Sequence, residues 1–362
     1  MPNRESACKG CLLGLAVGDA MGYIVDDRTW EEIQEDYGPN GLLGYDLANG
    51  TAEASSYTQV AAYVGNGLLL GTTRGKQSDY LRYISVSLRE WARSQHFPRD
   101  PERSYCWVSK MTKMRKRRCK DARMLDALRM DPLGTPERPI NRTATPGGLP
   151  GAAMVGLAYH PKYLEPRQVG VLGAQTVALT HGNALAFLSG SVLANCMAGI
   201  LQEPELSLKE QFLQSIAAME RQYGEKFPQS KEVSKLLNKA IVAASLEEDP
   251  QKVMESLACK DAHECLAGAM YTCLKCSEDF DGGMILAVNH SGRSAAVGAI
   301  AGAILGAKLG IEALPEFYLE SLECADVLQE LAGDFAVGSP MSGLFNDDWD
   351  HKYIQGKPLR ME

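Results

Sequence analysis

The sequence lacks a long uncharged apolar run. Its longest stretch of small and apolar residues runs from 295 to 307, well short of the ~20 residues that a membrane-spanning helix needs. The N-terminal apolar stretch has no basic region before it and no small-residue cleavage site, and Asp19 interrupts it. We therefore expect mature protein without a signal peptide and without a membrane partner.

The sequence also lacks an excess of positive charge. Its formal net charge is −8 and its pI is about 5.4, so its overall field repels nucleic acid and anionic membranes, and any anion site must be local. The exception is the run 110–123, KMTKMRKRRCKDAR. We interpret it as a solvated face or, alternatively, as a docking patch for an acidic protein partner.

A disulfide framework is missing as well. Ten cysteines are scattered along 362 residues, which fits a reducing compartment and predicts a cytoplasmic protein. The two C-x-x-C pairs, at 8–11 and 273–276, lie in stretches that read as helices with cysteine at apolar positions. This pattern favours buried thiols over a zinc site, because structural zinc usually takes two tight ligand pairs on turns.

Strand signals are few, and the apolar periodicity is helical. It predicts an all-α protein. Loops rich in glycine, proline, asparagine and aspartate are expected at 36–50, 130–151, 278–294 and 338–350. The clearest helical periods cover 80–91, 169–179, 184–201, 206–223, 233–246 and 315–331.

Two predicted helices carry glycine at every fourth residue. The first stripe lies within 10–22 and the second within 298–310. Glycine in a helix interior costs about 1 kcal/mol relative to alanine, so the stripes indicate two central helices whose backbones pack closely. The second helix follows the turn SGRS at 291–294, which raises the question of whether its first turn meets a metal, an anion or another helix.

Several stretches, in order, resemble the ADP-ribosylglycohydrolase family, which includes the dinitrogenase reductase-activating glycohydrolases. They are GCLLGLAVGDAMGYIVDD, YGPNGLLGYDLANGTAEASSYTQ, the glycine-rich loop 141–157, THGNALAFLSGSVLA and AVNHSGRSAAVGAIAGAILGA. The resemblance runs from about residue 10 to 310. It implies one domain over 1–362, folded as a single orthogonal multi-helix bundle that binds ADP-ribose.

The sequence departs from that family at the metal-binding aspartates. The family holds two Mg²⁺ ions with carboxylates, since this hard cation prefers oxygen ligands. Aligned on the flanking motifs, those positions are Ser56, Tyr57, Arg293 and Ala295 here. The resemblance therefore implies loss of the di-magnesium centre, no metal cofactor, and a divergent enzyme or a pseudoenzyme.

The SGRS turn is interpreted as an anion site instead. Free N–H groups at a helix start and a forked guanidinium suit a phosphate or carboxylate, and the residues concerned are Ser291, Gly292, Arg293 and Ser294. The alternative is that Arg293 pairs with a remaining acid and fills the cleft, the candidates being Asp19, Asp26 and Glu53.

Further ligand-binding positions follow from the resemblance. They are Ser55, Ser56, Tyr57, Gly147, Gly148, Gly151 and His181. Tyr57 either stacks on the ligand or plugs the vacated metal cavity, and His181 either contacts the ligand or satisfies a nearby loop.

The leading functional hypothesis is a family member that binds ADP-ribose or a related phosphate-bearing ligand without magnesium. One alternative is a metal-independent N- or O-glycosidase acting on ADP-ribosylated or nucleotide substrates, with Asp19, Asp26 or Glu53 as general acid or base. The other is a helical scaffold that docks a partner through 110–123.

Overall fold

The computed structural model describes residues 1–47, 49–76, 79–97, 104–162, 164–338 and 347–354. Within these ranges the protein is helical and has no β-strand, only two isolated bridges, which confirms the all-α prediction. The α-helices are α1 (Arg4–Ile24), α2 (Trp30–Tyr37), α3 (Ser56–Thr73), α4 (Tyr80–Ser94), α5 (Ala122–Ala127), α6 (Leu149–Leu157), α7 (Pro166–Ala178), α8 (Ala184–Gln202), α9 (Leu208–Tyr223), α10 (Ser230–Ala244), α11 (Pro250–Ser256), α12 (Ala262–Lys275), α13 (Phe280–Val288), α14 (Ser294–Leu309), α15 (Glu316–Ser321), α16 (Ala325–Val337) and α17 (Asp347–Trp349).

Helices α1 and α14 form the centre of the bundle and run antiparallel. A Cβ built on Gly10 would lie 2.0 Å from the carbonyl oxygen of Gly306, and one on Gly302 would lie 2.0 Å from that of Gly14. Only glycine allows backbones to approach this closely, so the predicted contact between the two stripes is confirmed. The last glycine of the second stripe, Gly310, lies beyond α14 and caps it with a φ of +86°.

The antiparallel pairing brings the C-terminal end of α1 beside the first turn of α14. Here a Cβ on Gly22 would lie 2.4 Å from the carbonyl oxygen of Ser294. The start of α3 joins this end of the bundle, because its N-cap Ser55 is hydrogen-bonded to Asp19 of α1. Three helix termini therefore converge at one place.

Two predicted elements differ in the structure, and most of the loop expected over 338–350 lies outside the described residues. The helix expected over 315–331 is divided into α15 and α16, because Leu322 is extended and forms a parallel bridge with Ala52. This pairing joins residues 270 positions apart, so no local pattern signals it. The loop expected over 278–294 contains α13, whose N-cap Asp279 accepts a hydrogen bond from the N–H of Gly282.

Two helices, α1 and α8, have the length and apolar character to cross a membrane, and most of each lies buried inside the protein. The ten cysteines are all free thiols, and eight of them are buried. Burial raises the pKa of Cys8 to about 11, and no group of three or more histidine, cysteine or acidic side chains in the described residues is arranged to hold a metal ion.

Candidate functional site

A cavity of about 370 Å³ lies where α1, α3 and α14 converge. The irregular segment before α5 and the turn before α6 close its other sides. The lining residues are Tyr23, Asp26, Asp27, Ser55, Ser56, Tyr57, Arg118, Cys119, Lys120, Asp121, Ala122, Arg123, Met124, Thr145, Gly147 and Arg293. The structure therefore brings together Asp26, Ser55, Ser56, Tyr57, Gly147 and Arg293 from the residues that the sequence singles out.

Asp19 lies beside this site without lining it, and its side chain is fully buried. Its carboxylate accepts hydrogen bonds from the N–H and hydroxyl of Ser55, at 3.0 and 2.5 Å, and from those of Thr58, at 3.0 and 2.6 Å. Burial raises its pKa to about 6 despite these four bonds. Asp19 thus stabilises the first turn of α3, as a capping carboxylate at a helix N-terminus does.

Asp26 and Asp27 form an acidic corner beside Arg293. The N–H of Ala295 donates to Asp26 Oδ1 at 3.2 Å, so a carboxylate of the protein itself occupies the N-terminal end of α14. Arg293 Nη1 lies 2.9 Å from Asp27 Oδ2. The ion-pair partner is therefore Asp27, not one of the three acids suggested by the sequence. Burial, and then the charge of Asp27, raises the pKa of Asp26 to about 6.

The rest of the SGRS turn faces away from the cavity. The N–H of Ser291 donates to Glu255 Oε1 at 2.8 Å, while its hydroxyl accepts from the N–H of Trp30 at 2.7 Å. Gly292 and Ser294 both donate to the carbonyl oxygen of His290, through the N–H and the hydroxyl respectively. Ser291, Gly292 and Ser294 do not line the cavity, so within this turn only Arg293 presents its side chain there.

Glu53 also lies outside the lining. Its carboxylate forms ion pairs with Arg118 and Lys116, and both cations pair with Glu323 as well. The hydrogen bond from Arg118 lowers the pKa of Glu53. This cluster ties the basic segment 110–123 to the body of the protein and leaves the Arg118 side chain only 10% exposed.

The glycine-rich loop packs on a buried histidine. Cβ atoms built on Gly147 and Gly148 would each lie 3.1 Å from the ring of His181, which has no exposed surface. Gly151 is inside α6, where a Cβ would lie 3.0 Å from Val64. Close packing thus accounts for Gly148 and Gly151, and Gly147 alone of the three reaches the cavity.

Several lining residues escaped the sequence interpretation. Lys120, Asp121 and Arg123 come from the end of the basic run, and Thr145 from the turn before α6. Lys120 Nζ lies 5.0 Å from the ring centroid of Tyr23. The only signal for them was a block of positive charge in an acidic chain, and it did not show which cleft the block covers.

The cavity is more cationic than the protein as a whole. Its lining holds four cations, including Arg118, and three carboxylates, whereas the chain has a formal charge of −8. Hydroxyl groups of Ser55, Ser56 and Tyr57 add hydrogen-bonding capacity. An anionic ligand with several oxygen atoms fits this lining better than a cation does.

The raised pKa of Asp26 predicts a pH-dependent effect of Asp26→Asn. A carboxyl whose folded pKa is about 6, against an ordinary value of 3.8, stabilises the fold fully below 3.8 and loses that contribution as pH rises through 6. The free energy of unfolding of the variant should therefore exceed that of the parent by about 1–3 kcal/mol at pH 8. At pH 4 the two proteins should have nearly the same free energy of unfolding. Urea unfolding at both pH values measures this, and an equal difference at pH 4 and pH 8 would contradict it.

Comparisons with known proteins show what the whole chain resembles. The sequence profile of the family described as ADP-ribosylglycohydrolase matches residues 1–343. A solved structure described as an ADP-ribosylglycohydrolase-related protein complex is 23% identical, covers 93% of this chain and 99% of its own, and superposes with a TM-score of 0.59. At this identity the likeness shows the fold alone. No curated protein sequence matches the chain.

Proposed function

Because the chain belongs to the ADP-ribosylglycohydrolase family, we propose that its cavity binds ADP-ribose or a related phosphate-bearing ligand without a pair of Mg²⁺ ions. The observation that carries this proposal is the position of Arg293. At the N-terminal end of α14, where the family pattern calls for a carboxylate, this chain places a guanidinium in the cavity wall, 2.9 Å from Asp27.

The cations of the lining supply what a phosphate needs. Lys120 and Arg123 reach the cavity from the start of α5 and Arg293 from the start of α14, and guanidinium groups hydrogen-bond phosphate oxygens in a forked, charge-assisted geometry. Arg118 contributes charge, although its hydrogen bonds go to acidic side chains of the protein. Arg293 donates to Asp27 through Nη1, and because a guanidinium carries five N–H donors, others remain for a ligand.

The same residues do not fit a pair of magnesium ions. Asp19 already accepts four hydrogen bonds, Asp26 accepts the N–H of Ala295, and Asp27 pairs with Arg293. Mg²⁺ binds oxygen ligands in near-octahedral geometry. A divalent cation on Asp27 would be repelled by the guanidinium of Arg293, 2.9 Å from that carboxylate. This donor set supports binding that is independent of magnesium.

Metal-independent glycosidase activity is a second candidate, and one observation favours it. Asp26 lines the cavity and its pKa is raised to about 6, which suits a general acid near neutral pH. Asp19 is buried behind Ser55, and Glu53 is bound by Arg118. Asp26 is therefore the best placed of the three acids proposed from the sequence.

A scaffold that docks an acidic protein through 110–123 has less support. Lys113 pairs with Asp326 at 3.0 Å, and the Arg117 guanidinium donates to the carbonyl oxygen of His96 at 2.7 Å. Since Lys116 and Arg118 are also paired within the chain, much of the segment's charge is already compensated.

An assay of ADP-ribose release tests the proposal. With ADP-ribosyl-arginine and ADP-ribosyl-serine substrates, we expect no Mg²⁺-stimulated hydrolysis, because the metal centre that would activate water lacks its carboxylates. Release that persists in a chelator would favour the glycosidase with Asp26 as general acid, and Asp26→Asn should then abolish it. Hydrolysis that requires Mg²⁺ and stops in the chelator would refute the proposed function.

A further inference from the structure

A carboxylate in the cavity wall is held from behind by a hydrogen-bonded chain that ends on a buried histidine. We propose that Asp121 determines specificity by accepting a hydrogen bond from a sugar hydroxyl of the ligand, and that His181 acts through Thr145 as its positioning residue. This inference rests on the proposed function, because it assigns one part of the same ligand to one wall of the cavity.

The chain consists of three short contacts. Thr145 Oγ1 lies 3.0 Å from Asp121 Oδ2 and 3.1 Å from His181 Nε2. On the far side of the ring, His181 Nδ1 lies 2.7 Å from the hydroxyl oxygen of Thr180. Both ring nitrogens therefore have partners within the protein, which leaves none for a ligand.

When the ring is neutral, only one placement of the protons makes all three contacts hydrogen bonds. An ionised carboxylate only accepts, so the single hydroxyl proton of Thr145 goes to Asp121. Thr145 must then accept from Nε2–H of His181, and the unprotonated Nδ1 accepts from the hydroxyl of Thr180. That hydroxyl also lies 3.2 Å from the carbonyl oxygen of Val177, a longer alternative acceptor. Each donor thus points toward Asp121.

The surroundings keep His181 in this state and in this place. The ring is fully buried, and burial lowers its pKa to about 4, so it is neutral at physiological pH. Gly147 and Gly148 pack against its edge, where a Cβ on either would lie 3.1 Å away. The glycine pair thus fixes the ring, and the ring fixes the hydroxyl of Thr145.

These bonds fix the position of Asp121 but leave its carboxylate able to accept further hydrogen bonds. Its Oδ1 accepts the N–H of Arg123 at 3.0 Å as the N-cap of α5, and 24% of its side chain remains exposed. Burial acts to raise its pKa, but the Thr145 hydrogen bond and nearby positive charge, which includes Arg123 Nε at 3.5 Å from Oδ1, act against it, and the pKa lies below the ordinary value. A carboxylate accepts about four hydrogen bonds, so an ionised Asp121 has capacity left for the cavity.

The charges of the lining indicate which group of the ligand donates a hydrogen bond to Asp121. A carboxylate repels a phosphate, so beside the phosphate-binding cations it needs a neutral donor, and a ribose carries hydroxyl donors adjacent to its phosphate. Lys120, which precedes Asp121 in the chain, and Arg123, two residues after it, both line the cavity. Asp121 therefore distinguishes a phosphorylated sugar from a bare polyphosphate.

Calorimetric titrations with ADP-ribose and with inorganic pyrophosphate test this inference. Thr145→Val replaces the hydroxyl by a methyl group of similar size, so ADP-ribose affinity should fall about tenfold while pyrophosphate affinity changes less than about twofold. Asp121→Asn keeps a good helix cap; it should weaken ADP-ribose to a similar extent and leave pyrophosphate as tight or tighter. Thr145→Ser, which retains the hydroxyl, should restore the parental ratio of the two affinities.

Thr143→Val is the matched control. Thr143 lies two residues earlier in the same loop, is 3% exposed, and has a hydroxyl with no hydrogen-bond partner in the structure, so its variant should bind both probes as the parent does. An unchanged affinity ratio in Thr145→Val, or an equal loss of both probes, would overturn the role of Asp121 while leaving the proposed function in place. Failure of the parent protein to bind either probe would overturn both.

Discussion

Replacing Arg293 by alanine should weaken the binding of ADP-ribose by about 1.5–3 kcal/mol, which is roughly a 10- to 150-fold loss of affinity. The reason is the loss of a charge-assisted hydrogen bond from the guanidinium in the cavity wall. The helical fold should persist, since the side chain is 32% exposed and its ion pair with Asp27 is at the surface. Calorimetric titration of both proteins gives the affinities, and circular dichroism gives the melting temperatures.

Arg28→Ala provides the control for the loss of a surface ion pair. Arg28 pairs with Asp36 at 2.5 Å and lies outside the cavity lining, so its replacement should leave ADP-ribose affinity unchanged. If Arg293→Ala keeps its affinity but melts at a much lower temperature than the parent, Arg293 is only a structural partner of Asp27. The anion-binding role would then be wrong.

Gly302→Ala should destabilise the fold by about 1–3 kcal/mol, although alanine is the better helix former by about 1 kcal/mol. The added Cβ would lie 2.0 Å from the carbonyl oxygen of Gly14 and 2.6 Å from its carbonyl carbon. Both are backbone atoms of a buried helix, so α1 and α14 must separate to admit the methyl group. Denaturant unfolding with a matched parent sample measures the change.

Gly333→Ala is the opposite case in another helix. Gly333 lies in α16, and a Cβ there would meet no atom within 4 Å. The substitution should therefore stabilise the protein by about 0.5–1 kcal/mol through helix propensity alone. A Gly302→Ala variant as stable as Gly333→Ala would show that the contact between α1 and α14 tolerates a methyl group, contrary to the packing described here.

The sequence predicts the helices well because their signals are local. Glycine at every fourth residue in α1 and α14 indicates their contact, and the family motifs place Ser55, Tyr57 and Arg293 in one cavity. The division between α15 and α16 depends on the bridge from Ala52 to Leu322, and such long-range pairing leaves no periodic trace.

The directions of side chains in the site were harder to predict. Ser291 and Ser294 lie on either side of Arg293 in one tight turn, yet their hydroxyls bond the backbone of Trp30 and of His290 and do not reach the cavity. Chain adjacency cannot show this, because a tight turn sends successive side chains in different directions. Asp121 and its neighbours were missed for a related reason: the segment from Lys116 to the start of α5 has no helical period, and only tertiary packing brings it to the cavity.

We propose that this family member binds its ligand without magnesium. Titrating the parent protein with ADP-ribose by calorimetry, once with Mg²⁺ and once with a chelator, tests it most directly. We expect measurable binding with the same dissociation constant in both conditions, because Arg293, Lys120 and Arg123 supply the positive charge. Binding that appears only with Mg²⁺, or that tightens by tenfold or more when the ion is added, would contradict it.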